Sequence, residues 1–419
     1  MNLKSTMGNF SSVSTKTLAV AVLVSLFAGS TPLCGQEWKW GGSVRGYQFL
    51  ELEEVVPAEA EPQLNDLFSG RRDTELWILR FTLETAFTRH IELEVHPLLQ
   101  FASPGLGGSS KLATDFTPIY MPLEHDFTDS TRVDLDGSLD RLNLQFDFDS
   151  IRVVAGRQAV TWGVTYFWPA LDLFAPFSPR RVDRDYKPGI DAIRATLPVG
   201  DYSELEVIGG VLGSSLKRDG ALGALARIYL GPVDVGLLGG KFHRDSVVGG
   251  FFTADVSGTG VRGEVNWTQS GDPADRLRDR RIFWRAAAGL DRQVTPTLSL
   301  TLEWSFNGYG TSQASEYLAL AAADRIVRGE INGLGRWYSG ISAAWQFHPL
   351  GNLSNAFLVN WQDPSTLWIP TLTWSTGNNS SLLLGGQVGL GREFLPQGVP
   401  RSEYGSTPST LFAGYQQYF

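Results

Sequence analysis

The chain has 419 residues, a net charge of −9, 46 Gly, 13 Trp, 12 Tyr and a single Cys. That is too long for one ordinary soluble core, and the acidic balance argues against nucleic acid as a partner. No apolar run after the N-terminus is long enough for a membrane helix, and no linker or charge block divides the chain.

Residues 1–35 read as a signal peptide. Lys4 and Lys16 form a basic leader, Leu18 to Ala28 is the apolar stretch, and cleavage follows Gly35. Cys34 raises a lipoprotein alternative, which Thr31 and Leu33 fit poorly. Removal of the leader leaves a barrel-forming chain, 36–419, without cysteine and with two fewer positive charges.

The first predicted strand is Glu37 to Leu50, and an acidic loop continues through Arg72. In Asp73 to Phe87, Leu79, Phe81 and Leu83 alternate with Arg80, Thr82 and Glu84. After a turn at Thr88 to His90, Ile91, Leu93 and Val95 alternate with Glu92, Glu94 and His96. A long loop spans Ser103 to Gly137. The hairpin from Leu139 to Gly163 sets Leu142, Leu144, Phe146 and Phe148 against Arg141, Asn143, Gln145 and Asp147. Side chains of a strand point to opposite faces in turn, so each such segment has one greasy and one wet face. An insertion runs from Val164 to Lys187.

Further strands follow at 189–197, 203–211, 221–230, 233–242 and 247–256. The next begins at Val261, and another carries Trp284, Ala286, Ala288 and Leu290 against Arg285 and Asp291. Leu298 to Phe306 alternates Leu and Trp with Ser299, Thr301, Glu303 and Ser305. A third long loop, Asn307 to Gly335, includes a short helical stretch at Ala319 to Arg328. The last strands are 336–347, 353–361, 366–375, 381–390 and 410–419. Pro370 predicts a bulge or a shifted boundary.

The count is about 18, within 16–20, and short turns mostly alternate with longer loops. The expected fold is an all-β, transmembrane, antiparallel up-and-down barrel with a loop folded into its lumen. Trp77, Trp162, Trp267, Trp304, Trp361 and Trp374 are placed at strand ends as aromatic girdles. The C-terminal strand, closing on Phe419, resembles the assembly signal of bacterial outer-membrane barrels, with Gln417 departing from it.

A barrel this wide is not filled by its own side chains. Alternation puts Arg80, Arg141, Arg152, Arg194, Arg227, Arg262 and Arg285 inward, with Glu264 and Glu303 among the acids. They form either a salt-bridged wall or separated basic and acidic strips across a constriction. The 164–187 insertion is too aromatic to stand free in water. Phe167, Trp168, Phe174 and Phe177 are expected to pack on the inner wall, with Arg180, Arg181 and Arg184 reaching water. A cap over the barrel rim is the alternative. Simple alternation turns Arg157 toward lipid, a costly place for a cation, so a face reversal at Gly156 or a rim position is expected.

Gly156-Arg157-Gln158, Trp162-Gly163, Asp172 to Pro176 and Lys187 to Asp191 together resemble bacterial outer-membrane porin-like families, including the alginate-export porins. The resemblance covers a short stretch and implies passive passage of a solute or polymer. Alginate itself is not carried over.

Rival classes have less support. His90, His96, His125, His243 and His348 lie in no hydrolase motif, so an enzyme is not expected. No His or Cys spacing suggests a metal, no phosphate loop is present, and no cofactor is expected. A TonB-coupled receptor needs a plug domain ahead of the barrel. A transporter for hydrophobic solutes and a structural barrel remain alternatives to a porin-like channel for small polar or anionic solutes. The expected partners are outer-membrane lipid of a Gram-negative bacterium, a small solute, the barrel-assembly machinery through Phe419, and further copies of the chain.

Overall fold

The computed structural model describes residues 38–52, 73–103, 120–121, 123–127, 134–277, 280–395 and 398–419. The expected leader, the acidic loop after the first strand and most of the 103–133 loop fall outside these residues. The strands are β1 (Trp38–Glu51), β2 (Asp73–Thr88), β3 (Ile91–Ala102), β4 (Asp134–Phe148), β5 (Ile151–Gln158) and β6 (Ile190–Val199). They continue with β7 (Ser203–Val211), β8 (Gly220–Tyr229), β9 (Val233–Phe242), β10 (Asp245–Val256), β11 (Thr259–Gln269) and β12 (Ile282–Thr295). The last are β13 (Leu298–Asn307), β14 (Trp337–His348), β15 (Gly351–Asn360), β16 (Ser365–Gly377), β17 (Ser380–Leu390) and β18 (Thr410–Tyr418).

Each pairs antiparallel with its neighbours in sequence, and β1 closes on β18 from Ser43↔Tyr418 to Glu51↔Thr410. The result is a closed 18-strand antiparallel up-and-down barrel, as the alternation predicts. A further three-residue strand, Glu124–Asp126, pairs with β4. Closure removes the free edges that such a sheet would otherwise expose. Phe419 completes it: its backbone exchanges hydrogen bonds with Gly42, and its ring meets Phe81 edge-on at 5.9 Å.

The outer surface is apolar. Ile193, Leu222, Leu237 and Val248 are 61%, 65%, 60% and 59% exposed, on outward positions of four different strands. An apolar belt of this extent requires lipid against it. Trp77, Trp267, Trp304, Trp361 and Trp374 are exposed with it. Trp162 is not a girdle residue: it is 1% exposed, packed edge-on against Phe174 and Phe242.

Three local expectations change. β4 starts at Asp134, inside the predicted loop, and the register shifts between His96 and Pro97, which leaves Asp140 as an extra residue beside Arg141. β5 stops at Gln158, short of Gly163. Pro370 sits inside β16 without a bulge: it pairs with Asn355 of β15, and the ladder to β17 skips Ile369 and Pro370 in unchanged register. The predicted helical stretch in the 308–336 loop is two short helices, Tyr317–Ala321 and Asp324–Val327.

Gly156 has φ +123°, and a Cβ there would lie 2.2 Å from the Leu142 carbonyl oxygen. Gly156→Ala should therefore destabilise the folded barrel by roughly 1–3 kcal/mol, since both backbone strain and a clash oppose it. The check is the temperature at which the barrel loses its compact, heat-modifiable gel migration.

Candidate functional site

The connection between β5 and β6, residues 159–189, packs against inward side chains of many strands. Its first half is held by two carboxylates from the middle of wall strands. Glu303 of β13 accepts the backbone N–H groups of Tyr166, Phe167 and Trp168 at 2.6, 3.1 and 2.9 Å. Three successive N–H groups make a concave anion-binding nest, here filled by a side chain of the same protein. Glu264 of β11 accepts from Val164 N–H at 2.7 Å and the Thr165 hydroxyl at 2.8 Å. Asn266 and Arg285 donate to the Ala170 carbonyl.

The aromatic side chains spread from these anchors in two directions. Trp162, Leu171, Leu173 and Phe174 pack on Ile208, Leu225, Leu238, Phe242, Val247 and Phe251, inward residues of β7 to β10. Phe167 and Trp168 pack on Tyr338, Leu358 and Leu367 of β14, β15 and β16. The strands under the first group are apolar on both faces toward their loop ends, which is the trace of this packing in the sequence.

The second half of the loop continues around the wall. Gln387 of β17 donates to the Arg180 carbonyl at 2.6 Å. Arg45 of β1 meets Asp183 at 2.6 Å, both buried, and Tyr418 of β18 donates to Asp185 at 2.5 Å. Tyr186 lies under three guanidinium groups, with Arg80 at 3.7 Å, Arg141 at 5.6 Å and Arg45 at 5.8 Å from its ring centre. Burial, the largest influence, raises the Tyr186 phenol and the nearby arginines oppose it, so it is a neutral hydroxyl at physiological pH.

The residues singled out by motif prove to be one another's partners. Arg157 pairs with Asp191 at 2.8 Å, and Met121 caps both, its carbonyl accepting from Arg157 and its N–H donating to Asp191. Lys187 pairs with Asp172 at 2.5 Å and reaches Thr161. Gln158 donates to the Val154 and Ala192 carbonyls. Arg157 is 1% exposed, so neither lipid nor the lumen water receives it. Its strand position is outward, and the ion pair with Asp191, capped by Met121, resolves the conflict. These residues form the base of the loop.

The remaining wall arginines mostly face acids. Arg152 pairs with Asp147, Arg194 with Glu206, Arg227 with Glu204 and Arg262 with Asp291, each on a neighbouring strand; Arg80 reaches Asp140 across one strand more. Arg141 donates to the Lys187 carbonyl. Arg285 is buried and held by the Ala170 and Glu330 carbonyls. Arg180 and Arg181 are half-buried, Arg181 lying 4.9 Å over the Phe177 ring, and Arg184 turns back onto the Pro179 carbonyl at 2.6 Å. Sequence reasoning missed Arg45, Asp183, Tyr186 and Gln387. Only the inward position of Arg45 in β1 was there to find.

The loop end of the barrel holds a separate cluster. Arg325 is 1% exposed and meets Asp245 at 2.5 Å, Asp275 at 2.8 Å and Glu330 at 2.8 Å, joining its own 308–336 loop to the 270–281 loop and to the first residue of β10.

A closed antiparallel barrel of 18 strands with an apolar exterior is the fold of the solved outer-membrane porins. The solved structures it is similar to include Acinetobacter baumannii OccAB1 (10% identity, TM-score 0.57, 91% of this chain and 96% of that one). Two from *Pseudomonas aeruginosa* are OpdK with vanillate (10%, TM-score 0.51, 91% and 98%) and OccD3, or OpdP (11%, TM-score 0.50, 92% and 91%). At these identities the likeness is one of fold. No protein-family model matches the chain, and no curated protein matches it in sequence.

Proposed function

We propose that the protein is a porin-like channel in the outer membrane of a Gram-negative bacterium, passing small polar or anionic solutes by passive diffusion. The 159–189 loop, folded into the lumen, forms its constriction. The observation that carries this reading is the order of the loop's partners. They run from β7 through β11, β13 and β14 to β17, then β1 and β18, then β2 to β4, all inward positions. That order of partners around the inner wall supports a loop inside the barrel over a cap on its rim.

Such a girdle narrows a wide barrel without filling it. The wall charges are largely paired, which favours a stiff polar lining over separated strips. Arg180, Arg181 and Arg184 bring positive charge to the loop and favour anions. Apart from the half-exposed Tyr166, the loop aromatics are mostly taken up in packing, which leaves little support for a greasy lateral route and hence for a hydrophobic-solute transporter. The apolar belt and the predicted leader support the location, and the exposed ring of Phe419 at the closing strand supports recognition by assembly machinery.

The test is swelling of liposomes that hold the refolded barrel. Swelling should slow with solute size and be faster for a small carboxylate than for an amine of equal size. No swelling with any polar solute contradicts the proposal.

A further inference from the structure

Inside the barrel near its turn end, Glu84 of β2 stands directly opposite Glu94 of β3, with His96 two residues further on. The ligand atoms of these three side chains all lie within 4.8 Å of one another. Like charges directly opposite across a strand pair repel, so the register is unfavourable unless a cation relieves it.

Two of the three nearby protein cations are engaged elsewhere. Arg80 is bound to Asp140 and lies over Tyr186, and Arg141 donates to the Lys187 and Asp140 carbonyls. Lys39 is opposite Glu84 across β1 and is exposed.

The outer atoms of the cluster are already fixed. Asn143 donates to Glu94 Oε2 at 2.7 Å, and His96 Nδ1 is 3.4 Å from the Tyr186 hydroxyl. What remains points inward to the cluster: His96 Nε2, buried with no hydrogen-bond partner, stands 3.3 Å from Glu94 Oε1. His96 itself is 4% exposed. In the tautomer that gives Nδ1–H to the tyrosine, a lone pair on Nε2 faces a carboxylate oxygen. Two ligands about 2.0–2.1 Å from a tetrahedral zinc stand roughly 3.3 Å apart, which is the separation here.

We propose that Glu84, Glu94 and His96 form a binding site for a divalent transition-metal cation of the zinc type in the barrel wall. An imidazole with two carboxylates suits zinc better than calcium or magnesium, and the arrangement leaves a fourth position for water. Asn143 and Tyr186 orient the ligands, as outer partners of metal-bound carboxylates and histidines do. The site escapes a spacing search because its ligands come from two strands. It does not depend on whether the barrel conducts.

The experiment is calorimetric titration of the refolded full chain with zinc at pH 7.5, with magnesium and calcium in parallel. Cobalt(II) is added separately to read coordination by visible absorption. The wild type should bind one zinc, more tightly than calcium or magnesium. His96→Ala and Glu94→Gln should each weaken it by roughly tenfold or more. Heat-modifiable migration checks folding. If His96→Ala fails to fold, Glu84→Gln, on the exposed edge, carries the same expectation. Absence of zinc binding to the wild type, as when a proton alone sits between His96 and Glu94, overturns the proposal. So does zinc binding that His96→Ala or Glu84→Gln leaves unchanged.

Discussion

A Glu303→Ala barrel should conduct about twofold more current per channel than the wild type and lose the orderly placement of its loop. Glu303 accepts three backbone N–H groups in a row from the loop, and its side chain is fully buried. Hydrogen bonds to a charged group contribute about 1.5–3 kcal/mol each, and buried donors left without an acceptor cost a similar amount. No neighbour can replace the carboxylate, because Glu264 is already engaged with Val164, Thr165 and Leu171. Glu303→Gln should fall between, since its amide keeps one acceptor oxygen and turns an NH2 toward N–H groups. Limited proteolysis gives the second reading: cleavage within 159–189 should appear in Glu303→Ala while the strands stay resistant. Unchanged conductance together with an uncut loop would sink the latch role.

The other large effect is expected at Arg325. Replacing it with Met keeps apolar bulk between the Phe283 and Tyr309 rings, which the guanidinium carbon approaches at 5.3 and 5.6 Å. It also leaves Asp245, Asp275 and Glu330 close together without their shared cation. Removing one partner of a buried ion pair costs about 3–5 kcal/mol. The 308–336 loop should then open to protease while the barrel persists.

The pH dependence should change sign as well. Burial alone would raise Glu330, but Arg325 and Arg328 outweigh it and hold the carboxyl well below its usual value of 4.5. A depressed carboxylate contributes stability that is complete above the unfolded pKa and lost as pH falls through the folded one. The wild-type loop should therefore loosen only in strong acid. In Arg325→Met the crowded carboxylates gain from protonation, so the loop should tighten as pH falls toward the carboxylate range. Amide exchange in 308–336, followed between pH 3 and 7 (roughly the span of carboxylate titration), reads both slopes. Parallel slopes in the two proteins would contradict the assignment.

Much of the barrel is legible in the sequence because alternation is a local signal. Leu298 to Phe306 announces its faces residue by residue, and the structure keeps them: Trp304 is exposed and Glu303 buried. Positions where local geometry breaks the alternation are harder. Asp140 is an extra residue in β4, and nothing in the run Leu139-Asp140-Arg141 marks it as one. Arg157 illustrates the same limit. The face reversal expected at Gly156 does not occur and Arg157 stays opposite Leu142, while its environment depends on Asp191 and Met121, which lie 34 and 36 residues away.

The loop was legible in kind and not in detail. Its aromatic content predicts packing, and Phe167, Trp168 and Phe174 are buried. Its contacts with Gln387, Arg45 and Tyr418 span too much of the chain for any periodicity to record. Trp162 shows how a girdle reading fails: a Trp near a strand end belongs to the belt only if its side chain faces out, and β5 ends before it does.

The most direct test of the channel reading is single-channel conductance of the refolded wild-type protein in a planar bilayer, with a salt gradient to give the reversal potential. Stepwise, ohmic openings with a reversal potential favouring anions are the predicted result. A correctly folded barrel that shows no openings contradicts it, and leaves a barrel whose loop closes the lumen.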